Sequence, residues 1–155
     1  MNPVFSQDKL EAVHKHALAE YPYECCGIII GKEDDGRNDL LFRCTNIQNK
    51  LHEMDPQTYT RDARTAFYID PRELMKILRE MENRSMKLKF FYHSHPDHDA
   101  YFSEEDKRMA LFEEEPVYPG ASYLVVSVYN GAIKRNALYS WNPVAKAFDA
   151  QPGID

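Results

Sequence analysis

Two imidazoles, a hydroxyl and a carboxylate fall within fourteen residues of this chain, in His93-Ser94-His95-Pro96 and then Ser103-x-x-Asp106. Histidines at i and i+2 of an extended segment point to the same side, so His93 and His95 can face one metal ion. Pro96 removes a backbone donor and restricts its predecessor, which holds His95 in an extended geometry. A carboxylate arriving on the next element would make a third protein ligand and leave a fourth position for water. That is the pattern of a catalytic zinc site, not a structural one. The Ser103/Asp106 pair also has a purely structural reading. Serine at a helix N-cap with an acid three residues on resembles a capping box, and Glu104 and Glu105 suit the positive end of a helix. Taken alone, capping is the better reading. Beside His-x-His at this spacing the balance reverses, and one rigid helical turn can serve both purposes.

The elements that must position these groups can be read from pattern. Leu88 to Ser94 reads as a strand with Phe91, His93 and His95 on one face and Phe90, Tyr92 and Ser94 on the other. Ser103 opens a helix that runs to about Phe112. Upstream, Ser6 to Glu20 carries Leu10, Val13 and Ala17 at helical spacing, with Ser6 as its N-cap and Pro22 beyond its end. Cys25 to Gly31 reads as a buried strand, Asp34-Asp35-Gly36 as a turn, and Leu40 to Cys44 as a second strand. Asp70-Pro71-Arg72-Glu73 is a helix start, with Asp as N-cap, Pro at the first position and Glu three residues after the cap. Leu74, Ile77, Leu78 and Met81 continue that helix. Ser122 to Tyr129 and Ala132 to Tyr139 flank Asn130-Gly131, a two-residue hairpin signal. Asn46 to Arg64 is polar and irregular and reads as a long loop or insertion, spanning about residues 46–66, of the kind that is uncommon unless functional. The alternation of helices and strands predicts an α/β or α+β fold with a mixed sheet.

Composition bounds the function classes. At 155 residues, with no repeats or linkers, the chain reads as one domain over 1–155. The 43% apolar content, with ten Tyr and eight Phe, is ample for a core. A net charge of −6 argues against a nucleic-acid partner. No stretch approaches the roughly 20 apolar residues that cross a bilayer, and Met1 to Lys9 lacks the basic-then-apolar pattern of a leader. The expectation is a cytoplasmic protein with no membrane partner.

The other reactive residue types have bland readings. Cys25, Cys26 and Cys44 show no C-x-x-C spacing and read as small core residues, neither zinc thiolates nor nucleophiles. His14, His16 and His52 read as solvated or partly packed. Asp97, His98 and Asp99 read as solvated loop residues, and Tyr101 and Phe102 as loop packing. Glu24, taken alone, reads as an exposed acid at a strand end.

Joined together, His93-Ser94-His95 and Ser103-x-x-Asp106 resemble the JAMM or MPN+ zinc metalloprotease family. Its pattern is a distant Glu, then His-[Ser/Thr]-His, seven residues, Ser, two residues and Asp. The seven here are Pro96 to Phe102. Glu24, within Pro22-Tyr23-Glu24-Cys25-Cys26-Gly27, stands where bacterial and archaeal members carry the distant Glu. Tyr68-Ile69-Asp70-Pro71 and Phe91-Tyr92 are similar to theirs, and the resemblance runs from about Glu11 to Tyr139.

The resemblance implies a fold and a set of roles. The fold is the MPN/JAB, cytidine-deaminase-like, mixed sheet flanked by helices. His93, His95 and Asp106 would bind one Zn2+ ion that also carries one water. Glu24 would be the general base and Ser103 a donor to the oxyanion of the tetrahedral intermediate. The implied activity is hydrolysis of a peptide or isopeptide bond after the Gly-Gly terminus of a ubiquitin-like or sulfur-carrier protein. Such a tail suits a narrow cleft because only glycine lets the backbone approach so closely, and it can dock by adding a strand to a sheet edge. The 46–66 stretch is the expected place for this chain's own substrate contacts. Two other readings stay open: a catalytically silent MPN scaffold, or a metallohydrolase of another amide, whether a host ubiquitin conjugate or a small substrate. Homodimerisation is also left open.

Overall fold

Apolar runs bounded by turn residues build the centre of the molecule. The computed structural model describes residues 5–152; Met1 to Val4, part of the N-terminal stretch read above for a leader, lie outside the described residues. Among the described residues four helices and eight strands follow one another: α1 Gln7–Glu20, β1 Cys26–Gly31, β2 Leu40–Cys44, α2 Gln48–Met54, α3 Pro71–Asn83, β3 Lys87–Pro96, α4 Glu104–Ala110, β4 Leu111–Phe112, β5 Glu115–Pro116, β6 Ser122–Tyr129, β7 Ala132–Asn142 and β8 Ala147–Gln151. The main sheet runs β2-β1-β3-β6-β7-β8, and β4 and β5 form a separate small hairpin. Within the main sheet β3 and β6 are parallel and the other neighbours antiparallel, so the sheet is mixed, as expected. The polar segment after β3 leaves from the C-terminal end of this parallel pair, where open sheets commonly place their ligands.

Both faces of the central strands are buried. Period-2 alternation sends Phe91, Tyr123, Val125 and Ile28 into one cluster, against which Leu74 and Phe67 pack. Phe90, Tyr92, Val126 and Ile29 go into the other, with Val13 and Ala17 of α1. His93 and His95 share the parity of Phe91, so they emerge on the first of these faces. Gly27 pairs with Tyr92, and a Cβ there would lie 2.1–2.3 Å from the Tyr92 ring. Only glycine fits beneath that ring.

Local signals were mostly obeyed. Asp70 accepts from the Arg72 backbone N–H to start α3. Glu73 does not complete a capping box. It turns away to accept from the Thr45 N–H at 2.8 Å and the Thr45 hydroxyl at 3.0 Å, fastening α3 to the end of β2. Asn130 and Gly131 both adopt positive φ, 50° and 75°, as a primed hairpin turn requires. Ser6 sits at the N-cap of α1 in extended conformation without a side-chain capping bond.

The expectation of an unstructured loop at Asn46 to Arg64 is corrected: α2 occupies Gln48–Met54, and Asn46 bridges to Ile69. The stretch is knit by side chain-to-backbone bonds, from Gln48 Nε2 to Arg61 O, from Ala63 N to Asn49 Oδ1 and between His52 Nδ1 and Tyr59 O. Among the described residues, no helix is long and apolar enough to cross a membrane.

Candidate metal centre

Three separate segments converge at the C-terminal end of β3. His93 and His95 are buried at 0% and 1% exposure and Asp106 at 6%. His93 Nε2 lies 3.1 Å from Asp106 Oδ1, His95 Nε2 lies 3.2 Å from Asp106 Oδ2, and the two Nε2 atoms are 3.2 Å apart. Ligands held tetrahedrally at about 2.0–2.1 Å from zinc stand roughly 3.3 Å from one another. The two imidazole nitrogens therefore stand at ligand spacing, and each has one carboxylate oxygen of Asp106 at that same spacing, Oδ1 for His93 and Oδ2 for His95.

A backbone contact orients His95 and a ring contact orients His93. His95 Nδ1 meets the Asp99 carbonyl at 2.7 Å, so that nitrogen donates and Nε2 presents a lone pair, the arrangement of a metal-bound histidine. His93 stacks on Phe67 with centroids 4.6 Å apart, and its Nδ1 has no hydrogen-bond partner among the described residues. Burial keeps the His93 imidazole below its ordinary pKa, toward the neutral ligand form. For Asp106, burial acts to raise the pKa, but His93 and His95 outweigh it and hold the carboxyl well below the usual range. A neutral imidazole beside an ionised carboxylate is the donor set a divalent cation requires.

The capping and ligand readings of Ser103 and Asp106 coexist. Ser103 Oγ accepts from the Asp106 N–H at 3.0 Å, and Asp106 Oδ2 accepts from the Ser103 N–H at 3.0 Å. This leaves the Ser103 hydroxyl proton free to donate. The closed box aims the Asp106 carboxylate at both imidazoles, and the helix N-terminus favours its charge.

Glu24 arrives by strand register. Cys26 pairs with His93 in the antiparallel β1/β3 ladder, so two residues back Glu24 lies across from His95, on the same face. Ser94, whose side chain points the other way, locks this register. Its Oγ accepts from the Cys25 N–H at 2.8 Å, and its own N–H donates to the Cys25 carbonyl. Ligand atoms of Glu24, His95 and His98 accordingly lie within 4.8 Å of one another. Glu24 is only 2% exposed, which corrects the view of it as an exposed acid. Burial first, and Asp106 next, raise its pKa well above the ordinary value, while Arg61 opposes them. Its Oε1 has no partner among the described residues, and a buried carboxylate oxygen is costly to leave so.

Asn46 was not singled out from sequence. Its amide Nδ2 donates to the Glu24 carbonyl at 2.9 Å and to the Ala66 carbonyl at 3.2 Å, while its Oδ1 accepts from the Gln48 and Tyr68 N–H groups. The Glu24 N–H donates to Ala63 O at 2.7 Å. The 46–66 stretch is thus the backbone seat of Glu24.

The loop after β3 is also more ordered than expected. Asp97, in a left-handed conformation at φ 61°, accepts from the Tyr21 hydroxyl and the Asn130 N–H. Ser127 Oγ donates to the His98 carbonyl and Tyr139 Oη to the Ala100 carbonyl. His98 is stacked on His95, with centroids 4.1 Å apart, so it is a wall of the site and not a solvated side chain. Phe102 packs into the core, but Tyr101 stays 49% exposed beside His95 and His98. The three cysteines are buried thiols, with burial raising Cys25 and Cys44 to about 12. His16 is buried and bonded to the Tyr92 hydroxyl at 2.7 Å, against the expectation of a partly packed ring.

Known proteins resemble this chain in sequence and in fold. A family model described as prokaryotic homologues of the JAB domain matches residues 6–142. The CysO-cysteine peptidase of Mycobacterium tuberculosis is 29% identical over 149 residues, covering 96% of this chain and 88% of that protein. A desampylase of Haloferax volcanii is 27% identical over 118 residues, covering 76% and 72%. A solution structure from Desulfitobacterium hafniense superposes with a TM-score of 0.68 at 22% identity over 97% of this chain and 90% of that one. One from Salinibacter ruber gives 0.59 at 26% identity over 94% and 86%. The family match runs through both the strand that follows Glu24 and the segment from His93 to Asp106, and the chain belongs to the prokaryotic homologues of the JAB domain.

Proposed function

We propose that the chain is a zinc-dependent peptidase or isopeptidase that hydrolyses the bond after the Gly-Gly terminus of a ubiquitin-like or sulfur-carrier protein. The observation that carries this reading is the approach of Glu24, a buried acid with one oxygen lacking a partner among the described residues, to His95, which also belongs to the cluster of His93, His95 and Asp106. The names of the relatives, a CysO-cysteine peptidase and a desampylase, support a hydrolase acting on such carrier proteins.

His93 Nε2, His95 Nε2 and an Asp106 oxygen would hold the ion. When bound, zinc supplies a Lewis acid and lowers the pKa of water toward about 7. The Glu24 carboxylate takes a proton from the attacking water and returns it to the departing amine. The water oxygen joins the glycine carbonyl carbon, the C–N bond breaks, and no covalent enzyme intermediate forms. Ser103 Oγ–H, already fixed by its bond from the Asp106 N–H, donates to the developing oxyanion. We take residues 1–155 as a single domain built for this chemistry and working in the cytoplasm.

The test is hydrolysis of a panel of ubiquitin-like proteins extended beyond Gly-Gly, compared with di-ubiquitin. The reading expects cleavage after Gly-Gly that a chelator abolishes, that zinc restores and that a thiol alkylator spares, because all three thiols are buried. Cleavage that survives complete chelation, or that alkylation kills without disturbing the fold, overturns it.

A further inference from the structure

A cavity of about 280 Å³ opens between α3, α4 and the sheet, and two of its walls are His93 and Asp106 themselves. Phe67, Leu74, Phe91, Met109 and Tyr123 make up much of the rest. Apart from Asp106, no lining side chain carries a charge near neutral pH. A larger cleft, of about 700 Å³, lies at the opposite end of β3 and β6 beside Leu88 and Ser122 and contains none of the candidate ligands. Of the described cavities the one of about 280 Å³ is lined by proposed metal ligands; a third, of about 270 Å³, is lined by Glu24 with Cys25, Thr45 and Asn46 and holds none of those ligands.

Its chemistry defines its occupant. The volume falls just under the roughly 300–1,000 Å³ of pockets that hold small ligands, a size for one side chain and not for a cofactor. A carboxylate entering it would lose its hydration and face Asp106, and a cation would compete with the ion that Asp106 is proposed to hold. On the acyl side of the proposed scissile bond stand two glycines, which have no side chain to offer. The residue that supplies the amine does have one. In a linear peptide its side chain branches from the carbon bonded directly to the scissile nitrogen. In an isopeptide the nitrogen ends an unbranched lysine chain, and no branch lies close enough to fill the space.

We propose that this cavity is the specificity pocket for the residue that follows the scissile bond, and that it takes an uncharged apolar side chain. The inference rests on the Gly-Gly hydrolase reading above and adds to it a preference: linear Gly-Gly-X peptide bonds, with X apolar, over lysine isopeptides. A hydrophobic pocket of this kind discriminates by about 10–200-fold between side chains that fill it and side chains that do not.

The experiment measures kcat/KM on a ubiquitin-like carrier fused through Gly-Gly-X to one common peptide, with X as Phe, Leu, Ala, Asp or Lys, and on the same carrier isopeptide-linked to lysine. The expected result is Leu or Phe favoured at least tenfold over Asp, with the isopeptide below Leu. Met109→Trp, on the half-buried outer part of α4, and Leu74→Trp, on the first turn of α3, fill the cavity from two sides. Each should collapse the Phe-to-Ala ratio toward one with bound zinc retained. Binding of the uncleaved fusions to the Glu24→Gln protein gives the same ranking without turnover. A flat dependence on X, an isopeptide cut as fast as Gly-Gly-Leu, or a Phe-to-Ala ratio unchanged in both folded variants overturns the pocket assignment and leaves the hydrolase reading standing. Hydrolysis of none of the fusions overturns the hydrolase reading, and the pocket assignment falls with it.

Discussion

Glu24 illustrates how one side chain acquires a role from its surroundings. An acid this deep, with one oxygen lacking a partner, is retained against a cost of burial, and His95 and His98 are what it faces. Replacing it with Gln keeps shape and volume but removes the proton acceptor. Glu24→Gln should lower kcat by about 10²–10⁴-fold with metal content unchanged, measured by turnover and elemental analysis; appreciable turnover would remove Glu24 as the base. Ser103→Ala loses two things. The helix cap is worth about 1 kcal/mol of stability, and loss of an oxyanion donor costs about 10²–10³ in kcat. Ser103→Thr keeps both the acceptor and the donor, so it should restore stability and rate together. The histidines, Ser103 and Asp106 were legible because their chemistry is packed into a short run whose strand and helix periods are strong. Glu24 was legible only through a family pattern, since its burial depends on pairing with a strand nearly seventy residues away. Asn46 gave no signal at all. Its four bonds all go to backbone atoms, three of them in other parts of the chain.

At the scale of elements, the 46–66 stretch is the surprise. Substrate contact stays a proposal for it, and the structure shows it holding Glu24 by both backbone groups. Asn46→Ala should lower kcat by about 10–100-fold, since misplacement of about 1 Å in a catalytic group has that effect, with bound metal unaltered. An unchanged kcat would mean the seat is not needed. Helix α2 escaped detection because Gln-Asn-Lys-Leu-His-Glu-Met has no apolar stripe; tertiary bonds around Asn46 and Asn49 hold it. Strand β8 escaped because five residues at a sheet edge, Ala-Phe-Asp-Ala-Gln, carry little alternation, and Phe148 does most of the packing. By contrast α1, α3, β1, β2, β3 and the β6/β7 hairpin follow directly from caps, periodicity and Asn-Gly. The β1/β3 pairing also constrains sequence at Gly27. Gly27→Ala would drive a methyl into the Tyr92 ring and should destabilise by at least about 1–3 kcal/mol, read as a fall in Tm.

For the whole molecule, the order β2-β1-β3-β6-β7-β8 is what turns a local motif into a site, because it lays β1 beside β3 and so brings Glu24 to His95. That order was not legible, since several mixed arrangements satisfy the same strands. The opposite face of the sheet bears on stability. Burial first, then Arg43, lower His16 from 6.5 to about 4. Between those values the unfolded chain binds more protons than the folded one, so the His16 contribution is fully present above about 6.5 and is lost as pH falls toward about 4. Tm measured across that window should fall less steeply in His16→Gln than in the natural chain, and parallel curves would contradict the assignment. The central claim, however, is that residues from β3 and α4 jointly hold one divalent ion. The direct measurement is metal stoichiometry of the purified protein beside its Asp106→Ala variant, with folding checked by circular dichroism. The account predicts one equivalent of zinc in the natural chain and little or none in the folded variant. A folded Asp106→Ala protein that keeps its full equivalent, or a natural chain that binds none when zinc is supplied, would contradict it.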